Sequence, residues 1–213
     1  DIGWARDHGL GELPVVLYAG TLGLKHDPSL LAAAAAALKG KAHVAVVSEG
    51  LGRGLLEKRK VDEDLDNLLL FDFQPYADLP DVMGSADVLI ALLEPDASRY
   101  SVPSKVLTYL CAGRPIVAVI PSDNSVAHVV SRADAGRIVE PGDRRGLVTC
   151  IESLLADPDL RGVLGDNARR YAEATFDSEK VAERFEAILA GVARPTTSGS
   201  GLRGPKSGDL ADS

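Results

Sequence analysis

Short apolar runs without polar alternation recur along the chain. They are 13–20 (LPVVLYAG), 42–48, 67–71, 87–93 and 115–120, and Gly136-Arg-Ile-Val-Glu reads as a short sixth strand. Such runs predict strands buried on both faces, and hence a parallel sheet. Between them lie stretches with helical start and stop signals. Asp27 caps and Pro28 opens a helix over about 29–39 that is almost all alanine and leucine. Further helices are expected at 54–62, after a Gly50–Gly54 turn, and at 78–86. Another is expected from Ser122 or Asp123 to 133, and then at 144–156 (capped by Asp143), 159–174 and 178–192. The clearest helix follows the fourth strand. Pro103 suits its first position, Val106, Leu107 and Leu110 make its apolar face, and Gly113 and Pro115 end it. Strands alternating with helices give an α/β class: a doubly wound, Rossmann-like parallel sheet of about six strands, helices on both faces.

The segment 1–13 reads as an irregular linker, 14–192 as the domain, and 193–213 as a disordered tail because it carries almost no apolar residues. The 213 residues, 46% of them hydrophobic and 25% charged, suit one globular domain with extra segments. A net charge of -8 argues against general nucleic-acid or anionic-membrane binding, yet leaves room for a local phosphate site. Cys111 and Cys150 sit inside helical patterns and lack partners at ligand spacing. They are expected to be free thiols in a reduced, cytoplasmic setting, with no metal site. No apolar run reaches membrane-span length. The chain begins at Asp1 and is expected to be a fragment, with any membrane contact carried by a preceding part.

In doubly wound sheets, ligands bind beyond the carboxyl ends of the strands. Two loops there carry chemistry. After strand one, Gly20 and Gly23 allow close backbone approach, and Lys25 can neutralise a phosphate. His26 beside it is a further candidate for phosphate or sugar contact. After strand four, Ser101, Ser104 and Lys105 gather at a helix N-terminus, whose free N–H groups and dipole favour anions. Two lysines and a helix start across one sheet edge are what a diphosphate needs. The bland alternatives are a strand-to-helix turn with a solvated lysine and an ordinary capped helix. His43, at the start of an apolar strand, reads as structural, His8 and His128 show no partners in the sequence, and Tyr109 reads as core or wall.

The order of elements, with Tyr18-Ala-Gly-Thr-Leu-Gly-Leu-Lys-His-Asp early and Val-Pro-Ser-Lys-Val-Leu-Thr-Tyr-Leu-Cys-Ala-Gly-Arg-Pro-Ile later, resembles the C-terminal half of a GT-B glycosyltransferase. The resemblance covers about 13–190. It is strongest to the retaining family 4, or "group 1", enzymes of capsule, O-antigen and exopolysaccharide assembly. It implies a nucleotide-sugar-binding domain that works with an N-terminal acceptor-binding domain of the same protein, the 1–13 segment being the linker between them. The substrate would be a UDP- or GDP-linked sugar, transferred to an acceptor hydroxyl in cell-surface polysaccharide or glycolipid synthesis, without cofactor or metal. Gly20 and Thr21 would approach the diphosphate, and Lys25 and Lys105 would stabilise it as leaving group. Phe73 and Gln74 would flank the base, and Ser101, Val102 and Ser104 would complete the donor site. The family's usual pair of glutamates is replaced by Tyr100 and Thr108. The fragment alone is expected to be inactive. The alternatives are a related sugar-nucleotide epimerase and a non-catalytic nucleotide-binding module.

Overall fold

The computed structural model describes residues 3–23, 26–93 and 104–192. Six parallel strands form one sheet: β1 (Val15–Ala19), β2 (His43–Val47), β3 (Leu68–Phe71), β4 (Val88–Leu92), β5 (Ile116–Val119) and β6 (Gly136–Val139). Their order is β3-β2-β1-β4-β5-β6, so the winding direction reverses between β1 and β4. Every residue of β4 and β5 is buried, as the unbroken apolar runs require.

The helices among the described residues are α1 (Gly3–Asp7), α2 (Ser29–Ala37), α3 (Leu51–Asp62), α4 (Leu79–Gly84), α5 (Ser104–Ala112), α6 (Ser125–Ala133), α7 (Arg144–Ala156), α8 (Pro158–Thr175) and α9 (Ser178–Val192). A 3-10 turn (Tyr76–Asp78) precedes α4. The alanines of α2 leave no side-chain bulk to hold it off its neighbours, and it packs against α3 and α7. On α5, Val106 and Leu110 point into the interior, and the helix packs against α4 and α8.

Most helix boundaries follow the local signals, with informative departures. Asp143 caps α7, accepting from the Gly146 amide at 2.8 Å. α6 starts at Ser125, later than Ser122 or Asp123, and is capped by Asn124, which accepts from the Val126 amide at 2.9 Å. α3 starts at Leu51 rather than after the glycines, because Arg53 is tied down by long-range contacts. Its guanidinium donates to the carbonyls of Ser48 and Phe71, each at 2.9 Å, and pairs with Asp72 at 2.8 Å. The first residues are not irregular. α1 carries Trp4, which is buried and stacks on His8 at 4.5 Å, and both rings meet Phe71 edge-on.

The chain divides after Thr175 into two compact units. The second contains α9, whose first turn is held by Asp177 accepting from the Glu179 amide at 3.0 Å. Val181, Phe185, Ile188 and Leu189 recur on it at amphipathic spacing. The predicted tail, 193–213, lies outside the described residues.

Candidate functional site

The site begins where β1 and β4 part. These strands pair only at Val16–Val88 and Leu17–Leu89. Two residues further along, Ala19 has no strand partner on that side. Its backbone is satisfied by a side chain instead: the Tyr109 hydroxyl donates to the Ala19 carbonyl at 3.0 Å and accepts from the Ala19 amide at 2.9 Å. Buried backbone groups must be paired, and here a phenol from α5 does what a neighbouring strand does elsewhere.

Next in the chain, Gly20 adopts a φ of +137°, a region that disfavours any side chain. A Cβ there would lie 3.1 Å from the Lys105 ammonium. The lysine therefore lies directly over the Gly20 backbone. Its Nζ donates to the Tyr18 hydroxyl at 2.5 Å and sits 3.9 Å from the centre of the Tyr18 ring. Tyr18 in turn donates to the Thr21 carbonyl at 2.9 Å. Burial pushes the Lys105 ammonium down to about 7, because no described carboxylate repays its lost hydration. Burial also holds both phenols neutral, raising Tyr18 and Tyr109 well above the usual tyrosine range.

A cavity of about 330 Å³ opens beside this lysine. One wall is Ala19, Gly20, Lys105 and Thr108; the other is Phe73, Gln74 and Tyr76. Gln74 is held in a defined orientation. The Trp4 indole N–H donates to its Oε1 at 3.1 Å, and its Nε2 donates to the Asp72 carbonyl at 2.9 Å. A second cavity of about 390 Å³ shares Tyr76, Leu79, Met83 and Thr108 with the first and extends to Cys111 and Arg169.

Of the residues singled out from the sequence, Gly20, Phe73, Gln74, Lys105 and Thr108 converge on the first cavity. Ser104 is exposed at the start of α5. Thr21, Gly23 and His26 do not line it. The Gly23 amide donates to His26 Nδ1 at 3.2 Å, closing the loop on itself, and the His26 ring lies edge-on to Tyr18. The loop is also zipped to the one after β2, with the Leu22 amide donating to the Glu49 carbonyl at 2.9 Å. Lys25, Tyr100, Ser101, Val102 and Pro103 lie outside the described residues. Sequence reasoning left Tyr109 open between core and wall and passed over Tyr18 and Trp4. The available signal was the four-residue spacing of Lys105 and Tyr109, which puts both on one helix face.

The site offers a half-buried ammonium, a bare backbone at Gly20, a hydroxyl at Thr108 and a fixed amide at Gln74. Among the described residues lining the first cavity there is no carboxylate, histidine or thiol, and none of the described residues form a three-member cluster of metal-ligand type. Such a set can bind an anion and stabilise negative charge.

Residues 13–157 match the family described as "Glycosyl transferases group 1". WcaI of Escherichia coli K12, whose name assigns it to glycosyl transfer in colanic acid biosynthesis, is 28% identical over 173 residues, 80% of this chain and 42% of that protein. The structure of Anabaena HepE in complex with UDP and glucose superposes with a TM-score of 0.76 at 18% identity, covering 89% of this chain and 52% of HepE. The C-terminal domain of LpcC from Francisella tularensis, a glycosyl transferase group 1 family protein, gives a TM-score of 0.64 at 14% identity, covering 81% of this chain and 91% of that domain. The chain thus spans about half the length of WcaI and HepE.

Proposed function

This chain belongs to the group 1 glycosyl transferases, and from that premise we propose that it is the donor-binding half of such an enzyme. It binds a nucleoside-diphosphate sugar, UDP- or GDP-linked, for transfer to an acceptor hydroxyl in cell-surface polysaccharide or glycolipid synthesis. An N-terminal domain of the same protein supplies the acceptor site, and the work is done on the cytoplasmic side of the membrane.

The observation that carries this reading is the Lys105 ammonium lying over Gly20, where β1 and β4 part. A diphosphate entering there meets a cation, the exposed backbone of Gly20 and the first turn of α5. The nucleobase lies along Phe73 and Gln74, and the Thr108 hydroxyl faces the ribose. As the bond from the sugar to the diphosphate breaks, negative charge builds on the departing oxygen. Lys105, with Lys25 as the second cation, stabilises it more in the transition state than in the bound donor. The likeness to HepE, solved with UDP and glucose, supports the ligand class. The match in extent to the LpcC C-terminal domain supports the assignment to that half.

Calorimetry with UDP, GDP and UDP-sugars tests the reading. Binding of at least one is expected, and Lys105→Ala should weaken it roughly 10- to 100-fold, the scale of one lost charge-assisted contact. A folded chain that binds none of them overturns the assignment; unchanged affinity in Lys105→Ala removes the lysine from the phosphate site. The isolated chain should transfer no sugar, and turnover by it would overturn the two-domain reading.

A further inference from the structure

α5 reaches the end of β1 with two side chains one helical turn apart. Lys105 contacts Tyr18 and overlies Gly20, while Tyr109 holds Ala19 between them. Tyr109 is 1% exposed, so its hydroxyl spends its one proton and an acceptor lone pair on a single residue's backbone, out of reach of bulk water. The contact falls where β1 loses its β4 partner. The β1 terminus could otherwise settle in two ways. It could admit water, or it could extend its pairing with β4 beyond Leu17–Leu89 and close the crevice.

We propose that Tyr109 is a positioning residue. Its hydroxyl stands in for the missing strand beside Ala19, keeps β1 and β4 apart, and so fixes Gly20 beneath the Lys105 ammonium. The contact stands on geometry alone. Its consequence for ligand affinity rests on the nucleotide-diphosphate reading above.

Tyr109→Phe keeps the ring and removes only the hydroxyl, leaving both Ala19 groups without their partner. Three measurements read the result. The first is the side-chain NMR titration of Lys105 in the chain without ligand. The titratable groups around it among the described residues are Tyr18 on β1, Tyr109 on its own helix, Tyr76 in the cavity it lines, and His26 edge-on to Tyr18. In Tyr109→Phe the midpoint should rise towards the ordinary lysine range as the ammonium swings into water. An unmoved midpoint in a folded variant overturns the proposal. The second is a double-mutant cycle on UDP affinity. Tyr109→Phe should cost about tenfold, and the double variant with Lys105→Ala should bind no more weakly than Lys105→Ala alone, because the tyrosine acts through the lysine. Losses that multiply would mean an independent, merely structural role and overturn it. If the unmutated chain binds neither UDP nor GDP, the nucleotide reading falls, and the Lys105 titration decides the positioning role by itself. The third applies if Tyr109→Phe does not fold. The Ala19 amide of the unmutated chain should then exchange its hydrogen as slowly as the paired strand amides, and exchange at loop rates overturns the proposal.

Discussion

β4 has two neighbours and treats them differently. Against β5 it is paired over four successive positions, from Leu89–Ile116 to Leu92–Val119. Against β1 it is paired over two, and then the strands separate. The closed seam is made of Leu, Ile, Val and Ala alone, and backbone bonds complete it. The open seam needs side chains with polar tips to finish what the backbone leaves undone. Tyr109 supplies them at Ala19, and Lys105 and Tyr18 cross the gap at Gly20. The difference teaches where chemistry enters this fold. A parallel sheet is inert while its strands stay zipped. Where the winding reverses, the strand ends must be held by groups that are also able to hold a ligand.

The strongest test is at the root of both seams. Leu89 is fully buried and pairs with Leu17 on one side and Ile116 on the other. Leu89→Ala should cost about 2–5 kcal/mol of folding stability by urea unfolding, through lost burial and the cavity left behind. A loss well under 1 kcal/mol would mean that the strands are not held at this point as the pairing implies.

The next perturbation acts on the open seam alone. Gly20→Val puts a branched side chain at a φ of +137°, with its Cβ in tight contact, 3.1 Å from the Lys105 ammonium and its methyls crowding it further. Strain of this kind is worth roughly 1–3 kcal/mol, so the unfolding midpoint should fall by less than in Leu89→Ala. On the proposed reading, nucleotide affinity should fall far more than stability does, since the valine displaces the cation and covers the bare backbone. Undiminished UDP affinity would show that the diphosphate does not sit at this corner.

A third test uses pH. Lys105 titrates near 7 in the folded chain and close to the ordinary lysine value when unfolded. Between those values the unfolded chain holds the extra proton, so stability should rise with pH through this window, by at most about 1.4 kcal/mol per pH unit. Lys105→Met should flatten that rise when the two stability–pH curves are subtracted. Anion binding has the opposite dependence. It needs the ammonium, so UDP affinity should drop as pH climbs above about 7, and binding near pH 8 should take up a proton. Parallel curves for Lys105→Met and the unmutated chain would place the lysine in water.

The two seams also explain what could be read from the sequence. The central strands were legible because a strand buried on both faces leaves no polar residue to break an apolar run, as in β4 and β5, while the edge strand β6 tolerates Arg137. Lys105 and Gly20 were legible because a lysine at a helix start and a glycine after a strand are local signals. Tyr109 and Tyr18 were not, since a tyrosine among apolar neighbours reads as core. The Tyr109 hydroxyl has a role only because β1 and β4 part at one particular residue, and no local pattern marks that residue. The same holds for Arg53, which besides its local pair with Glu57 has partners at Ser48, Phe71 and Asp72 that belong to strand ends brought together by the fold. Trp4 was hidden for a further reason. Its partner Gln74 is 70 positions away, and five helical residues in a polar segment carry almost no periodicity.

Trp4 gives the mildest of the tests, and it bears on the wall facing the open seam. Trp4→Phe keeps an aromatic ring against Phe71 and removes only the indole N–H that orients Gln74. Gln74 then retains one anchor, the bond from Nε2 to the Asp72 carbonyl. A neutral hydrogen bond is worth about 0.5–1.5 kcal/mol, and only part of that should reach the ligand, so UDP affinity should fall by about two- to threefold. Gln74→Ala sets the upper limit, since it removes the amide itself. If Gln74→Ala weakens UDP binding and Trp4→Phe does not, the Asp72 bond suffices and α1 is a structural prop. If both weaken it, with no further loss when they are combined, the first turn of the chain acts on the site through one glutamine, just as α5 acts on the opposite wall through one tyrosine.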